Sequence, residues 1–110
     1  DYTQCTNLDS ALEAMAATDN DYQYSVAWVD CLAKGDKLGR SVLMQGNHAP
    51  ADALTGARAT DPFAVKGGLP KVVPFHCPSF VLNPLSIQAF NTAFYAAHPT
   101  STGKIVETAW

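Results

Sequence analysis

Charge is scarce in this chain of 110 residues, where Asp, Glu, Lys and Arg fill 15% of positions. Ten acids against seven bases leave a formal charge of −3. A nucleic-acid binder ordinarily carries a basic stripe. Here the bases, Lys34, Lys37, Arg40, Arg58, Lys66, Lys71 and Lys104, are scattered along the sequence, so no nucleic-acid partner is expected. Long apolar runs are also lacking. None approaches the roughly 20 residues that cross a bilayer, and no membrane span is expected. Asp1-Tyr2-Thr3-Gln4 has neither the basic start nor the apolar stretch of a signal peptide. Cysteine is sparse: Cys5, Cys31 and Cys77 are far apart, odd in number and without CxxC spacing. That excludes a disulfide framework or a zinc knuckle, and implies buried free thiols in a reducing cytoplasm. There is no internal repeat and no low-complexity tract.

What is present is apolar content, at 47%. It suffices for a packed core, and the length suits one domain. Tyr2 to Cys5 can form a short strand. Thr6-Asn7-Leu8-Asp9 has capping-box spacing. After it, Leu8, Ala11, Leu12, Met15 and Ala16 make one apolar stripe on a helix of about three turns. Asp19-Asn20-Asp21 stops it.

Tyr24 to Leu32 is the clearest strand. Tyr24, Val26, Trp28 and Asp30 point to one face, and Ser25, Ala27, Val29 and Cys31 to the other. After a turn at Gly35-Asp36, Arg40 to Gln45 reads as its hairpin partner. From Gly46 to Ser79 the periodicity fails, broken by Pro50, Pro62, Gly67, Gly68, Pro70, Pro74 and Pro78. A loop of that length inside a compact domain is usually functional. Asn83-Pro84 reopens a helix, with Asn as N-cap and Pro at the first turn. Ile87, Phe90, Phe94 and Ala97 form its stripe, and Pro99 ends it. Gly103 to Trp110 reads as a last strand.

The order is β-α-β-β-loop-α-β, the pattern of a ferredoxin-like α+β domain with a small antiparallel sheet, two helices and a long loop. Both helices are expected on one sheet face, leaving the other open to a partner.

Signals for chemistry are thin. His48, His76 and His98 have no HExxH or HxH spacing, and a metal site is not expected. His98 suits a helix C-terminus. His76-Cys77 could pair base and nucleophile, but adjacent side chains in an extended stretch point apart. Gly67-Gly68 lacks the rest of a phosphate loop, and there is no GxSxG. Trp28 and Asp30 share a strand face and are more informative. In one reading Trp28 packs under a helix, while Asp30 bonds to the turn or to Arg40. In the other they line a substrate pocket, Trp28 as an apolar wall and Asp30 as a polar orienting group.

The run from Tyr24-Ser25-Val26-Ala27-Trp28 through Leu38-Gly39-Arg40 to Leu43 resembles the substrate (cap) domain of FAD-linked oxidases of the vanillyl-alcohol oxidase and p-cresol methylhydroxylase superfamily. It is most similar to the decaprenylphosphoryl-ribose oxidase group, whose members carry a similar Tyr-Ser-Val-Ala-Trp strand and Leu-Gly-Arg turn. The preceding helix fits the same alignment, residues 75–98 resemble the later helical part more loosely, and residues 49–73 match poorly.

The resemblance implies a single-domain fragment, residues 1–110, of a substrate domain whose FAD-binding domain is elsewhere in a parent polypeptide. It implies hydride transfer from a hydroxyl-bearing carbon of a sugar-like or polyol substrate to the flavin. Trp28 transfers as a pocket wall before the flavin, with Asp30 beside it as a second substrate-binding residue; no catalytic, cofactor-binding or metal-binding residue transfers. The long loop corresponds to the region over the substrate entrance. Such a fragment is expected to be catalytically silent alone, and two copies can pair through exposed strand edges. The competing reading from another class is a stand-alone ferredoxin-like binding or regulatory module, dimeric through its open sheet face. A small cofactor-free enzyme using His76 or Cys77 is the third.

Overall fold

The computed structural model of the chain describes residues 1–64 and 78–103. These fall into two compact units, residues 1–47 with 78–103, and residues 48–64. His76, Cys77, the Gly67-Gly68 pair and nearly all of the expected last strand lie outside the described residues.

The first unit is built on three antiparallel strands, β1 (Tyr2–Cys5), β2 (Tyr24–Val29) and β3 (Ser41–Gly46), in the order β1-β3-β2. The alternating hairpin segments pair as expected, with Ala27 opposite Leu43 and Trp28 opposite Val42. β1 flanks the other side of β3, with Thr3 opposite Leu43. Beyond β1, Ser101 forms an antiparallel bridge to Tyr2, with N–H···O distances of 2.8 and 2.9 Å. That contact occupies the place of a fourth strand in a ferredoxin-like sheet, and the α+β class stands.

Helix α1 (Leu8–Thr18) begins one residue later than the capping signature suggested. Asn7, not Thr6, is the N-cap: its Oδ1 accepts from the Ser10 N–H at 2.9 Å, and Ser10 Oγ accepts from the Asn7 N–H at 3.1 Å. The apolar stripe is rotated as well. Ala11 and Ala14 meet Cys5, Ala27 and Leu43 of the sheet, while Leu8, Leu12 and Met15 stand 48, 56 and 38% exposed. Small side chains let the helix approach closely. Gly39 shows how closely: its φ is +72°, and a Cβ there would come within 2.8 Å of Leu8 Cβ. A side chain at that position would be both strained and obstructed.

The second long helix of this unit comes after a short helix of the other one. In residues 48–64, a three-residue 3₁₀ turn, Ala51–Ala53, follows Pro50, and one helical turn, α2 (Ala57–Thr60), follows Gly56. Arg58 Nη1 ties that turn to the Ala64 carbonyl at 2.7 Å. The segment read as aperiodic loop thus contains local helical structure.

Helix α3 (Pro84–Ala97) starts as the sequence indicated: Asn83 Oδ1 accepts from Leu85 N–H and Ser86 N–H at 2.9 and 3.0 Å. His98 closes it, with Nδ1 2.8 Å from the Phe94 carbonyl. The sheet-facing side differs from the expected stripe. Asn91 is buried, Phe94, Tyr95 and His98 are half-buried, and Phe90 is 60% exposed.

The expectation that both helices share one face is overturned by strand alternation. Cys5, Ala27 and Leu43, which meet α1, point opposite to Tyr2, Gln4, Trp28 and Val42. The latter face meets α3: Trp28 packs on Phe94, Tyr2 on His98, and Gln4 Nε2 donates to the Tyr95 carbonyl. The sheet is covered on both sides, and β3, with Val42 and Leu43 both sealed, is its core strand. Among the cysteines, Cys5 is buried, but Cys31 is exposed, contrary to expectation. Burial pushes the Cys5 thiol up, partly opposed by the neighbouring Ser41 hydroxyl. That contact falls short of a hydrogen bond, and Ser41 Oγ is a buried oxygen without a hydrogen-bond partner among the described residues.

Candidate functional site

Asp30 follows the last residue of β2 and is 1% exposed. Its backbone N–H still bonds to the Arg40 carbonyl at 3.0 Å, which extends the hairpin by one rung. That places the two side chains beside each other. Arg40 Nε and Nη2 both lie 2.8 Å from Asp30 Oδ2. The other oxygen, Oδ1, accepts from the Leu32 N–H at 3.0 Å and from Asn91 Nδ2 at 2.7 Å. A buried carboxylate is tolerable only when its lone pairs are occupied, and here both oxygens are. Burial by itself would raise the Asp30 pKa. The hydrogen bonds from Asn91, Leu32 and Arg40, with the guanidinium charge, outweigh it and hold the carboxyl below its usual range.

Arg40 is fixed from further sides. Its Nη2 donates to Thr92 Oγ1 at 3.2 Å, and its guanidinium lies over the Tyr95 ring, 5.1 Å from the centroid. Thr92 in turn donates to the Gln88 carbonyl at 2.9 Å. The cluster ties the hairpin to α3 across 61 residues of sequence.

Trp28 lies on the same face, one strand alternation back. Its ring centroid is 4.5 Å from that of Phe94, which also stacks on His98 at 4.1 Å and contacts Phe90 at 6.0 Å. The indole is half-buried. The geometry therefore has Trp28 packed under α3 and Asp30 bonded to Arg40 and to the turn. Asp30 also borders a cleft of about 500 Å³; Trp28 does not. The cleft lies between the segment linking β2 to β3, which contributes Leu32, Ala33, Lys34, Lys37 and Arg40, and one side of α3, which contributes Pro84, Gln88 and Thr92.

The bases that look scattered in the sequence are therefore partly gathered: three of the seven line one cleft. The signal was their spacing of three through the turn after Asp30. Asn91 was legible only as a polar interruption between Phe90 and Phe94. Among the described residues, no three His, Cys, Asp or Glu side chains stand close enough to hold a metal ion. No helix among them is long and apolar enough to cross a membrane.

No family model matches the chain. Over 84 residues, 76% of its length, it is 27% identical to decaprenylphosphoryl-β-D-ribose oxidase of Mycolicibacterium smegmatis. Over 67 residues, 61% of its length, it is 34% identical to an uncharacterized protein in the mprA 5′ region of Streptomyces coelicolor. The chain spans 18% of the length of each relative. It is thus distantly similar to an oxidase, over a small part of that enzyme.

Proposed function

We propose that this chain is a segment of the substrate-side (cap) domain of an FAD-linked oxidoreductase that oxidises a hydroxyl of a sugar-like or polyol substrate. The observation that carries the reading is the likeness to an oxidase across 76% of the chain. Two features of the structure support it. The Leu38-Gly39-Arg40 turn has a physical reason for its last two residues: Gly39 admits α1, and Arg40 pairs with Asp30. Large apolar side chains also stand exposed along α1 and α3, Leu8 and Leu12 on one, Leu85 and Phe90 on the other. Such surface suits contact with further polypeptide.

In this reading FAD is held by another part of the parent polypeptide. The described residues do not fit it on their own: they contain no glycine-rich strand-to-helix turn to cradle a pyrophosphate, and Trp28 is packed on Phe94. When bound, FAD supplies the hydride acceptor. This chain's residues supply shape. Trp28, braced by Phe94 and away from that cleft, offers the exposed part of its indole as an apolar wall toward the rest of the parent polypeptide, and Asp30 acts through Arg40, holding the guanidinium at the cleft. The partners are the FAD-binding domain and a small-molecule substrate, and the chain alone is catalytically silent.

The test compares the purified 110-residue chain with the product of the whole reading frame. The chain is expected to show no flavin absorbance and no polyol-dependent dye reduction, and the full product to show both. In the full product, Trp28→Ala should raise KM more than it lowers kcat. Flavin bound by the chain alone, or a full product without flavin, overturns the proposal.

A further inference from the structure

With a helix on each face of the sheet, much of the exposed apolar surface lies on the helices, and on α1 it is patterned. Leu8, Leu12 and Met15 are spaced by four and then three residues and form one exposed stripe beside the sheet-facing Ala11 and Ala14. That is the spacing of the seam between two paired helices. Leu38, also exposed, extends the stripe at its N-terminal end, where its carbonyl accepts from the Leu8 N–H at 2.9 Å and Gly39 lies against Leu8. Asp19 continues it at the other end, four residues beyond Met15.

The stripe ends in opposite charges. Lys34 and Lys37, in the link that carries Leu38, stand at the Leu8 end, and Asp19 and Asp21 at the other. All four are exposed, and none forms an ion pair among the described residues. With Asp36 between the lysines, that link still carries a net positive charge. Carboxylates at the C-terminal end of a helix oppose its dipole, and the last turn of α1 has no base to offset them. A helix of 11 residues is about 16 Å long. The acids and the lysines of one copy are therefore more than a Debye length apart and do little to neutralise each other.

We propose that the outer side of α1 is the interface of a two-fold homodimer, in which the α1 helices of two copies pack antiparallel. Leu12 then meets Leu12 of the second copy, and Leu8 meets its Met15. The same arrangement carries the Asp19–Asp21 end of each helix to the Lys34–Lys37 link of the other copy, twice by symmetry. A parallel pair would set like charges side by side. The contact is about two helical turns with Leu38 at each end, so the dimer belongs to the weak class of specific interfaces. Nothing in this pairing depends on flavin or substrate. It goes beyond the proposed function, in which the polypeptide that meets α1 is unspecified.

Sedimentation velocity of the full chain, from about 1 μM to about 1 mM, should show a reversible monomer–dimer equilibrium with Kd in the range of about 10–100 μM. Leu12→Lys, at an exposed position on the stripe, should raise Kd at least about tenfold and leave the far-UV circular dichroism spectrum unchanged. Asp19→Lys and Lys37→Asp should each raise it about three- to fivefold. Combining those two should return Kd close to the native value, because the exchanged charges face each other again across the axis. That rescue separates the antiparallel pairing from general apolar adhesion. A chain that stays monomeric throughout, a dimer that survives Leu12→Lys, a charge exchange without rescue, or a series of oligomers with no dimer plateau overturns the interface. Flavin plays no part in these readouts, so failure here leaves the oxidoreductase proposal standing, and a flavin-free parent leaves this one.

Discussion

The two faces of the sheet are held to their helices by different physics. Under α1 the contact is small and apolar: Cys5, Ala11, Ala14, Ala27 and Leu43. Under α3 it is polar and aromatic: Asp30, Arg40 and Asn91 at one end, Trp28, Phe94 and His98 at the other. Burial of apolar area is non-directional and tolerates sliding. A carboxylate accepting four bonds from three residues fixes register as well as contact. The α1 face acts as a foundation, and the α3 face holds functional groups in set positions.

Breaking the polar face should cost most. Asp30→Ala leaves the Arg40 guanidinium without its carboxylate and Asn91 without an acceptor, and is expected to lose about 3–5 kcal/mol in urea denaturation. Leu43→Ala tests the apolar face and should lose about 2–4 kcal/mol, with no dependence on pH. Gly39→Ala probes the close approach between the hairpin turn and α1, and should lose about 1–3 kcal/mol from the left-handed backbone and the Leu8 contact.

The finest discrimination comes from acid. The folded-state pKa of Asp30 lies below its unfolded value, so its contribution is complete above about pH 4 and fades as pH falls through the folded pKa. Stability followed by far-UV circular dichroism should decline in that acidic window for the native chain, and decline less for Asp30→Asn. An equal acid sensitivity in both would assign the loss to other carboxylates.

Strand positions were legible because alternation is local. Tyr24 to Val29 shows its two faces in six residues, and Asn83-Pro84 announces α3 through cap chemistry confined to one turn. What was not legible depends on distance. Helical periodicity gives an apolar side but not the angle at which it seats, so Ala11 of the expected stripe meets the sheet together with Ala14, while Leu8 and Leu12 stand exposed. No local pattern says that a second helix crosses to the opposite face. The partnership of Asp30 with Arg40 was one of two readings available from the hairpin. Its partnership with Asn91 lies 61 residues away and had no local trace.

Tyr2 and Ser101 share two hydrogen bonds at the outer side of β1. A polypeptide that entered the first unit at one of these residues and left at the other would begin and finish its course at neighbouring points. Folds with that property can be spliced into a larger host as a cassette, with little disturbance to the flanking structure.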